Sequence, residues 1–491
     1  MPGIAVVIAG CLALAALSLL GPAAPTYDPW AWLNWGRQTA ELNLVTDGGP
    51  SWKPLPVVFT TLFSLVGDDV APYLWLWIAR AGSLFAAAMT FRLARRLADR
   101  GGPRTGSWVP GVVGGLAAVA ALVASTRFVH DSLRGNSEGL LVGLVLWAFE
   151  RHQDGRRDHA LYLAFAAALL RPEVWPFLGL YGLFLWLREP ELRLRAAILG
   201  VLVPAFWFLP ELWGSGDPLR ASSRAATPNP NSPANADQPA LEVILRLSDA
   251  VVAPVRASAF VGGLYAVYVF LRRREERGTL ALTALGAGWL GLVAAMTAGG
   301  YSGNTRYLIV PIAVTVVVAG VGVARTLQGA MVLGRRLPGG PRLAVAAAIA
   351  LGLVLSWPFA HKKGADLLEV ARDVRSEERI WDDLGTVVKR AGGADAIREC
   401  RGLYTAPFLT QLVAYELRVP SIRVGIRRTI PPAAIMQGRT SDVAPLLPKP
   451  TDPRFRLAGS QGSWRLLTVA PEGPGRCPAA EGAAGSDGRP G

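Results

Sequence analysis

The sequence is short of charged residues. Only 18% of its 491 residues are Asp, Glu, Lys or Arg, whereas charged residues make up roughly a quarter of an ordinary soluble domain. Nearly all the basic residues are Arg, and together with abundant Ala this usage is typical of a bacterium with a GC-rich genome. The low charge excludes a typical soluble protein and turns attention to the apolar residues, which form 51% of the chain.

Cysteine is scarce as well, with three residues in the chain. Cys11 lies within the first apolar run, where it is explained as a small apolar residue that packs against its neighbours. Cys400 and Cys477 both follow the last apolar run, in a part of the chain that the topology below assigns to an oxidising compartment. A disulfide persists in such a compartment, but spacing alone does not show that two cysteines meet. The pairing is therefore left open by the sequence.

The N-terminus lacks the features of a cleavable signal peptide. Residues 1–3 contain neither Lys nor Arg, and the small residues Ala23 and Ala24 are followed by Pro25, which fits poorly in a cleavage site. The first apolar run is therefore expected to remain as a membrane span, with the N-terminus in the cytoplasm.

Apolar runs are long and frequent. About 20 apolar residues cross a bilayer as a helix, and the clearest runs are residues 4–20, 109–125, 196–209, 251–271, 280–297, 308–324 and 343–359. With the weaker segments, about eleven spans are predicted. The second is expected to begin near Ala81, with Arg80 at the outer interface. The segment 160–187 is expected to form two spans, because Arg171-Pro172-Glu173 interrupts it.

The net charge of +14 follows the topology. Arginines are concentrated in every second connection, at residues 92–104, 151–157, 188–195, 272–277 and 325–342. This is the positive-inside pattern of a plasma-membrane protein, and it accounts for the basic excess without a nucleic-acid partner. An odd number of spans places residues 361–491 outside the cytoplasm.

The chain after the last span changes character. Residues 1–360 are predicted to form the transmembrane domain, 361–470 a small extracytoplasmic α/β domain and 471–491 a disordered tail. Within the α/β domain, the patterns predict helices at 376–390 and 406–417 and strands at 422–426 and 464–469. Gly392-Gly393 is expected to end the first of these helices.

The first outer connection begins with Tyr27-Asp28-Pro29 and continues through Trp30, Trp32 and Trp35. A structural explanation is that Asp28 caps a helix starting at Pro29 while the tryptophans form an interfacial belt. A catalytic explanation is that a carboxylate held rigidly at a helix start acts as a general base. The two roles are compatible.

Three more outer connections carry ionisable residues. Taken singly, each is by default a solvated charge or a structural ion pair, but together they predict an acid- and arginine-lined outer mouth. Its candidate contacts for substrate or donor phosphate are Lys53, Asp131, Arg134, Glu138, Arg171, Glu173, Arg306 and Tyr307. No cofactor is assigned; if a divalent cation binds, its candidate ligands are Asp28, Asp131 and Glu138.

Four motifs over residues 1–360 resemble the GT-C glycosyltransferases, in particular their dolichyl-phosphate-mannose-type and arabinofuranosyltransferase-like branches. The motifs are Tyr27-Asp28-Pro29, the segment from Arg80 to Leu97, Ser137-Glu138-Gly139 leading to Leu170-Arg171-Pro172-Glu173, and Asn304-Thr305-Arg306-Tyr307-Leu308 with Pro311. The resemblance implies a catalytic base at Asp28 and a polyprenyl-phosphate-linked sugar as donor. Some members carry paired acids where this chain has Asp28 alone, which leaves metal dependence open.

The function expected from the sequence is an inverting glycosyltransferase that moves a sugar from the lipid donor to an envelope glycan, lipid or protein acceptor. A transporter or flippase of lipid-linked substrates is an alternative, but such proteins place their sites near the bilayer midplane, often within repeats, and this chain shows no repeat. A glycan-polymer ligase is a second alternative. A noncatalytic envelope assembly factor is a third, if Asp28 only caps a helix.

Overall fold

A computed structural model describes residues 3–102, 106–400, 402–426, 433–450, 452–469 and 477–478. Its α-helices are α1 (Ile4–Ser18), α2 (Tyr27–Ala40), α3 (Pro54–Ser64), α4 (Ala71–Gly101), α5 (Val109–Ala124), α6 (Thr126–Leu133), α7 (Glu138–Gln153), α8 (Arg157–Ala168), α9 (Trp175–Arg188), α10 (Arg193–Ser215), α11 (Arg220–Ala225), α12 (Pro239–Ala250), α13 (Ala253–Arg273), α14 (Arg277–Ala298), α15 (Ile309–Gly334), α16 (Gly340–Arg390), α17 (Gly393–Arg398) and α18 (Thr410–Glu416). Short 3₁₀ helices include Pro172–Val174 and Thr305–Leu308.

Each predicted span has a helix in the structure, but fewer of these helices are long enough to cross a membrane. Among the described residues, six satisfy length and apolarity, namely α4, α10, α13, α14, α15 and α16, and the pair α5 and α6, bent by 69°, makes a seventh if it is one span. The remaining four, α1, α7, α8 and α9, have between 12 and 16 residues. At 1.5 Å per residue such helices are shorter than the hydrocarbon core, so the expected eleven spans exceed the number that length and composition support.

Helix α4 extends beyond the predicted start of the second span. It begins at Ala71 rather than near Ala81, and Arg80 lies inside it with 4% exposure. The guanidinium donates to the carbonyls of Ser18, Pro22 and Leu133. Ser18 and Leu133 are the last residues of α1 and α6, where backbone acceptors lack helical partners, and Pro22 lies in the connection after α1. A buried arginine is therefore accommodated within the helix, which begins ten residues before the predicted start of the span; the position of Arg80 at the outer interface stays a prediction.

The C-terminal domain is built on a sheet of five strands: β1 (Leu403–Thr405), β2 (Val424–Gly425), β3 (Ala434–Gly438), β4 (Arg456–Gln461) and β5 (Trp464–Thr468). Their order is β2-β1-β3-β5-β4, with β1 parallel to β2 and β3, and with β5 antiparallel to β3 and β4. Leu403 is in register with Val424 on one side and with Ala434 on the other. The end of the bundle that packs on this sheet is called the sheet side below.

Several boundaries differ from the sequence predictions. The helix expected at 376–390 is the end of α16, which runs unbroken across the predicted domain boundary at 360 and stops before Gly392 and Gly393, both with positive φ. The second predicted helix begins at Thr410, and most of 422–426 is 3₁₀ helix and bend rather than strand. Apart from 477–478, the predicted tail at 471–491 lies outside the described residues. The structure joins Cys400 to Cys477 in a disulfide.

The C-terminal domain docks directly on α2. Asn34 donates to the Val419 carbonyl at 3.2 Å, and Arg37 donates to the Tyr415 carbonyl at 3.2 Å and to Asn34 at 2.8 Å. The Trp30 ring meets Trp381 of α16 edge to face, with 4.9 Å between the centroids. The helix that carries Asp28 is therefore held between the bundle and the sheet domain.

Candidate active site

The tryptophans of α2 anchor it inside the protein. Trp30, Trp32 and Trp35 are 3%, 0% and 0% exposed, and they pack against Trp381, Trp75 and Trp52 respectively. The alternative of an interfacial belt is therefore wrong for these rings. A buried aromatic ring removes about 150–250 Å² from water, which at about 25 cal/mol per Å² stabilises the packing by about 4–6 kcal/mol as an upper estimate. The helix start is correspondingly rigid.

Asp28 lies in the first turn of α2. The helix begins at Tyr27 with Thr26 at the N-cap, so the expectation that Asp28 is itself the cap is wrong. The Thr26 amide donates to the Arg134 carbonyl at 3.1 Å, which ties this turn to the end of α6. Asp28 is 7% exposed, and its negative charge is favoured near the positive end of the helix dipole.

Arg306 reaches Asp28 from a distant part of the chain. A turn with positive φ at Gly300 and Gly303 leads into the 3₁₀ helix Thr305–Leu308, and a Cβ at Gly303 would stand 2.5 Å from the Thr297 hydroxyl. The Trp289 indole fixes the next residue by donating to the Tyr307 carbonyl at 3.0 Å. As a result, Arg306 Nη1 donates to Asp28 Oδ2 at 2.6 Å, across 278 positions of sequence.

Two cavities meet at this ion pair. The larger, of about 490 Å³, is lined mainly by polar side chains, and the smaller, of about 190 Å³, combines basic and aromatic side chains. Asp28, Arg306 and Tyr307 line both. They are called the polar cavity and the aromatic cavity below. A group held in one cavity is therefore separated from the other by a carboxylate and a guanidinium.

Lys53 and Arg171 bring two further cations to the aromatic cavity. Lys53 Nζ donates to Ser137 Oγ at 3.1 Å and lies 3.8 Å from Glu138 Oε1, while the Arg171 guanidinium pairs with the same carboxylate and lies 3.7 Å from Glu173 Oε1. Arg171 also stacks over the Tyr307 ring at 4.7 Å. Burial, followed by the nearby charge of Arg171, lowers the pKa of Lys53 to about 8.

The aromatic wall of this cavity was not predicted. Trp175 and Trp207 both donate to the Ala168 carbonyl, at 3.2 and 3.0 Å, and their rings meet edge to face at 5.7 Å. Phe208 packs against Trp175. An aromatic residue within an apolar span is ordinary in sequence, so the interruption at Arg171-Pro172-Glu173 was the sequence signal near this wall. Trp175 also lines an apolar groove of about 550 Å³ between α9 and α10.

The polar cavity contains Asp131, which Arg127 contacts at 2.9 Å and His130 at 3.1 Å. Three amides and two further arginines also line this cavity, the amides from connections between helices and the arginines from α11 and α12. They are Asn136, Arg224, Asn229, Arg246 and Asn304.

Arg134 lies elsewhere. It pairs with Glu377 at 2.8 Å and Asp373 at 3.8 Å on α16, and it lines neither cavity. Glu138 is 1% exposed and lies behind Lys53 and Arg171 rather than on a cavity surface. Of the predicted contacts, the structure therefore brings Asp28, Lys53, Arg171, Glu173, Arg306 and Tyr307 together at the aromatic cavity, with Asp131 in the polar cavity.

The candidate metal ligands do not form one group. Each is paired with an arginine: Asp28 with Arg306, Asp131 with Arg127, and Glu138 with Arg171. In the part of the chain that the structure describes, no three His, Cys, Asp or Glu side chains are close enough to hold a metal ion together. The described residues therefore offer no preformed group of three such ligands, and no step of the proposed reaction uses a metal.

The fold and the site together define a multi-pass membrane protein, with a bundle of apolar helices, a small sheet domain, and a carboxylate and an arginine between two cavities on the sheet side. Two crystal structures of ArnT from Cupriavidus metallidurans share this fold. The one bound to undecaprenyl phosphate gives a TM-score of 0.50 at 12% identity, covering 96% of this chain and 99% of ArnT. The apo form gives 0.53 at 13% identity, covering 95% and 98%. No protein-family model and no curated protein sequence matches the chain. The expected fold class is thereby confirmed.

Proposed function

We propose that the protein is an inverting glycosyltransferase that transfers a sugar from a polyprenyl-phosphate donor to an envelope glycan, lipid or protein acceptor. One observation carries the proposal: Asp28 and Arg306 form an ion pair on the wall shared by a polar cavity and a basic, aromatic cavity. A transferase needs this arrangement, because its two substrates must meet at a proton acceptor and a phosphate-binding cation. The ArnT fold supports it, since one of those structures contains undecaprenyl phosphate.

The donor phosphate is assigned to the aromatic cavity. Lys53, Arg171 and Arg306 supply the cations, and charge-assisted hydrogen bonds to phosphate are about twice as strong as neutral ones. The first isoprene units would contact Trp175, Trp207 and Phe208, because an apolar chain beside a phosphate needs an apolar wall. The acceptor hydroxyl would enter from the polar cavity.

The reaction is a single displacement. The acceptor oxygen forms a bond to the anomeric carbon while the bond from that carbon to the phosphate oxygen breaks, which inverts the configuration. Asp28 takes the proton of the acceptor hydroxyl, a contribution of roughly 10²–10⁴-fold. The electron pair of the broken bond stays on the polyprenyl phosphate, where Arg306 and its neighbours stabilise the developing charge.

The proposal places the protein in the plasma membrane, with a cytoplasmic N-terminus and the sheet side outside the cytoplasm. Nucleotide sugars are absent from that compartment, whereas a donor carried by a membrane lipid is present. The alternating arginine clusters support this orientation.

The test compares wild-type protein with Asp28→Asn in detergent, using synthetic polyprenyl-phosphate mannose and polyprenyl-phosphate arabinofuranose. Release of polyprenyl phosphate is measured with a membrane extract as acceptor. Asn keeps the shape of Asp and can still accept from Arg306, so we expect normal abundance and a rate lower by at least about 100-fold.

Asp68→Asn is the matched control. Asp68 also pairs with arginines, Arg37 at 3.4 Å and Arg418 at 2.7 Å, but it lines neither cavity. Its variant should keep the wild-type rate. Wild-type turnover by Asp28→Asn would reduce Asp28 to a structural role, and no release from either donor by the wild-type protein would contradict the proposal itself.

A further inference from the structure

A tight turn of the C-terminal domain places Phe408 in an unfavourable backbone conformation. The Leu409 amide donates to the Ala406 carbonyl at 3.2 Å, with Pro407 and Phe408 at the two central positions. Phe408 has φ of 69°, and proline cannot adopt positive φ, so this is a type II turn. Its third position ordinarily holds Gly or Asn, because a Cβ is crowded there.

The Phe408 ring gains little from burial in return. The residue is 66% exposed, so packing within the domain does not explain why a bulky residue occupies a glycine position. Strain of this kind is often retained where a side chain serves a function. The ring lines the polar cavity, which also contains Asp28.

Tyr27 forms the other half of an aromatic corner. Its ring lies 6.2 Å from the Phe408 ring with 76° between the planes, and it directly precedes Asp28 in the chain. The fully buried Gln411 side chain donates through Nε2 to the Tyr27 hydroxyl at 3.4 Å, while the Ser421 hydroxyl donates to Gln411 Oε1 at 2.5 Å. The orientation of Tyr27 is therefore set by the C-terminal domain.

We propose that Phe408 and Tyr27 form a subsite for the sugar ring of the acceptor. A pyranose or furanose presents a face of C–H groups that packs on an aromatic ring, and its hydroxyls need polar partners, which Asn136, Asn229 and Asn304 supply in the same cavity. The inference rests on the proposed function, since it assigns the second substrate of that reaction. It gives the C-terminal domain a direct role in acceptor binding.

The test uses the fact that the backbone conformation at residue 408 favours glycine, whereas the proposed sugar contact needs the phenylalanine ring. Phe408→Gly removes the ring and relieves the positive φ, so we expect a melting temperature no lower than that of the wild-type protein. Binding of methyl α-mannopyranoside, methyl β-galactopyranoside and methyl arabinofuranoside is measured by saturation-transfer NMR on the full chain. The wild-type protein should bind at least one, and Phe408→Gly should bind it about tenfold more weakly.

Three comparisons separate stacking from a structural role. Phe408→Tyr should keep the glycoside affinity, whereas Phe408→Leu should lose as much as Phe408→Gly because it lacks a flat ring. Leu42→Gly is the matched control: Leu42 also has positive φ, at 57°, with 80% exposure, and it lines neither cavity. It should show the same relief of strain and unchanged glycoside binding.

Binding of undecaprenyl phosphate to the same variants is measured in parallel, as a test of the proposed donor site. Equal glycoside affinity in the wild-type protein and Phe408→Gly would overturn the inference, as would a wild-type protein that binds none of the three glycosides. If the wild-type protein binds a glycoside in a Phe408-dependent way but does not bind undecaprenyl phosphate, the proposed transfer reaction is contradicted and the sugar subsite is still supported.

Discussion

Replacement of Arg306 by lysine is the sharpest test of the proposed donor site. The guanidinium contacts Asp28 through one nitrogen, Nη1, at 2.6 Å, and its planar fork suits a phosphate that is leaving with growing charge. Lysine keeps the positive charge and can still pair with Asp28, so the variant should fold and insert normally. What it loses is the two-donor geometry.

The expected size of the effect follows from that loss. A hydrogen bond to a charged group contributes about 1.5–3 kcal/mol, and a lysine that retains the charge should lose an amount near the lower limit of this range. A loss of about 1.4 kcal/mol of transition-state stabilisation corresponds to a tenfold lower kcat/KM for the donor. The side chain of Arg306 is 23% exposed, so solvent only partly substitutes for the missing donor.

The assay follows polyprenyl phosphate release at donor concentrations below KM, with Arg418→Lys as the control. Arg418 also contacts an aspartate, Asp68, at 2.7 Å on the sheet side, but its side chain is 62% exposed and lines neither cavity. The control should match the wild-type protein. Full activity in Arg306→Lys would refute the reasoning: Arg306 would then be a cation for ordinary lipid headgroups, and the phosphate site would lie at Lys53 and Arg171.

Two other predictions concern pH and topology. Because burial and Arg171 lower the pKa of Lys53 to about 8, its positive charge is lost as pH rises through that value, so kcat/KM for the donor should fall above about pH 8. Lys53→Arg should remove this decline, since a guanidinium stays charged, and an unchanged pH profile would exclude Lys53 from phosphate binding. For topology, a reporter active only outside the cytoplasm should be active when fused after Asp366 and silent after Arg274. The reverse pattern would invert the orientation.

The sequence alone was sufficient for the local features. Apolar runs and arginine clusters predicted a helix at each of eleven segments, and the interruption at Arg171-Pro172-Glu173 is present as a 3₁₀ turn between α8 and α9. Such features depend on residues close together in the chain, where hydrophobic periodicity and helix-breaking residues act directly. Local pattern did not give the full length of two helices: α4 begins ten residues before Ala81, and α16 continues past residue 360 into its charged half without a break.

The site itself was decided by tertiary structure. Asp28 and Arg306 were each predicted, but their contact at 2.6 Å spans 278 positions, and Arg134, equally plausible in sequence, is held by Glu377 on α16 instead. Nor does Ala406-Pro407-Phe408-Leu409 reveal that Phe408 adopts positive φ beside Tyr27. Which loops meet depends on how all the helices and the sheet pack together. That packing is the result of many weak contacts between residues far apart in the chain, and a local sequence pattern does not predict it.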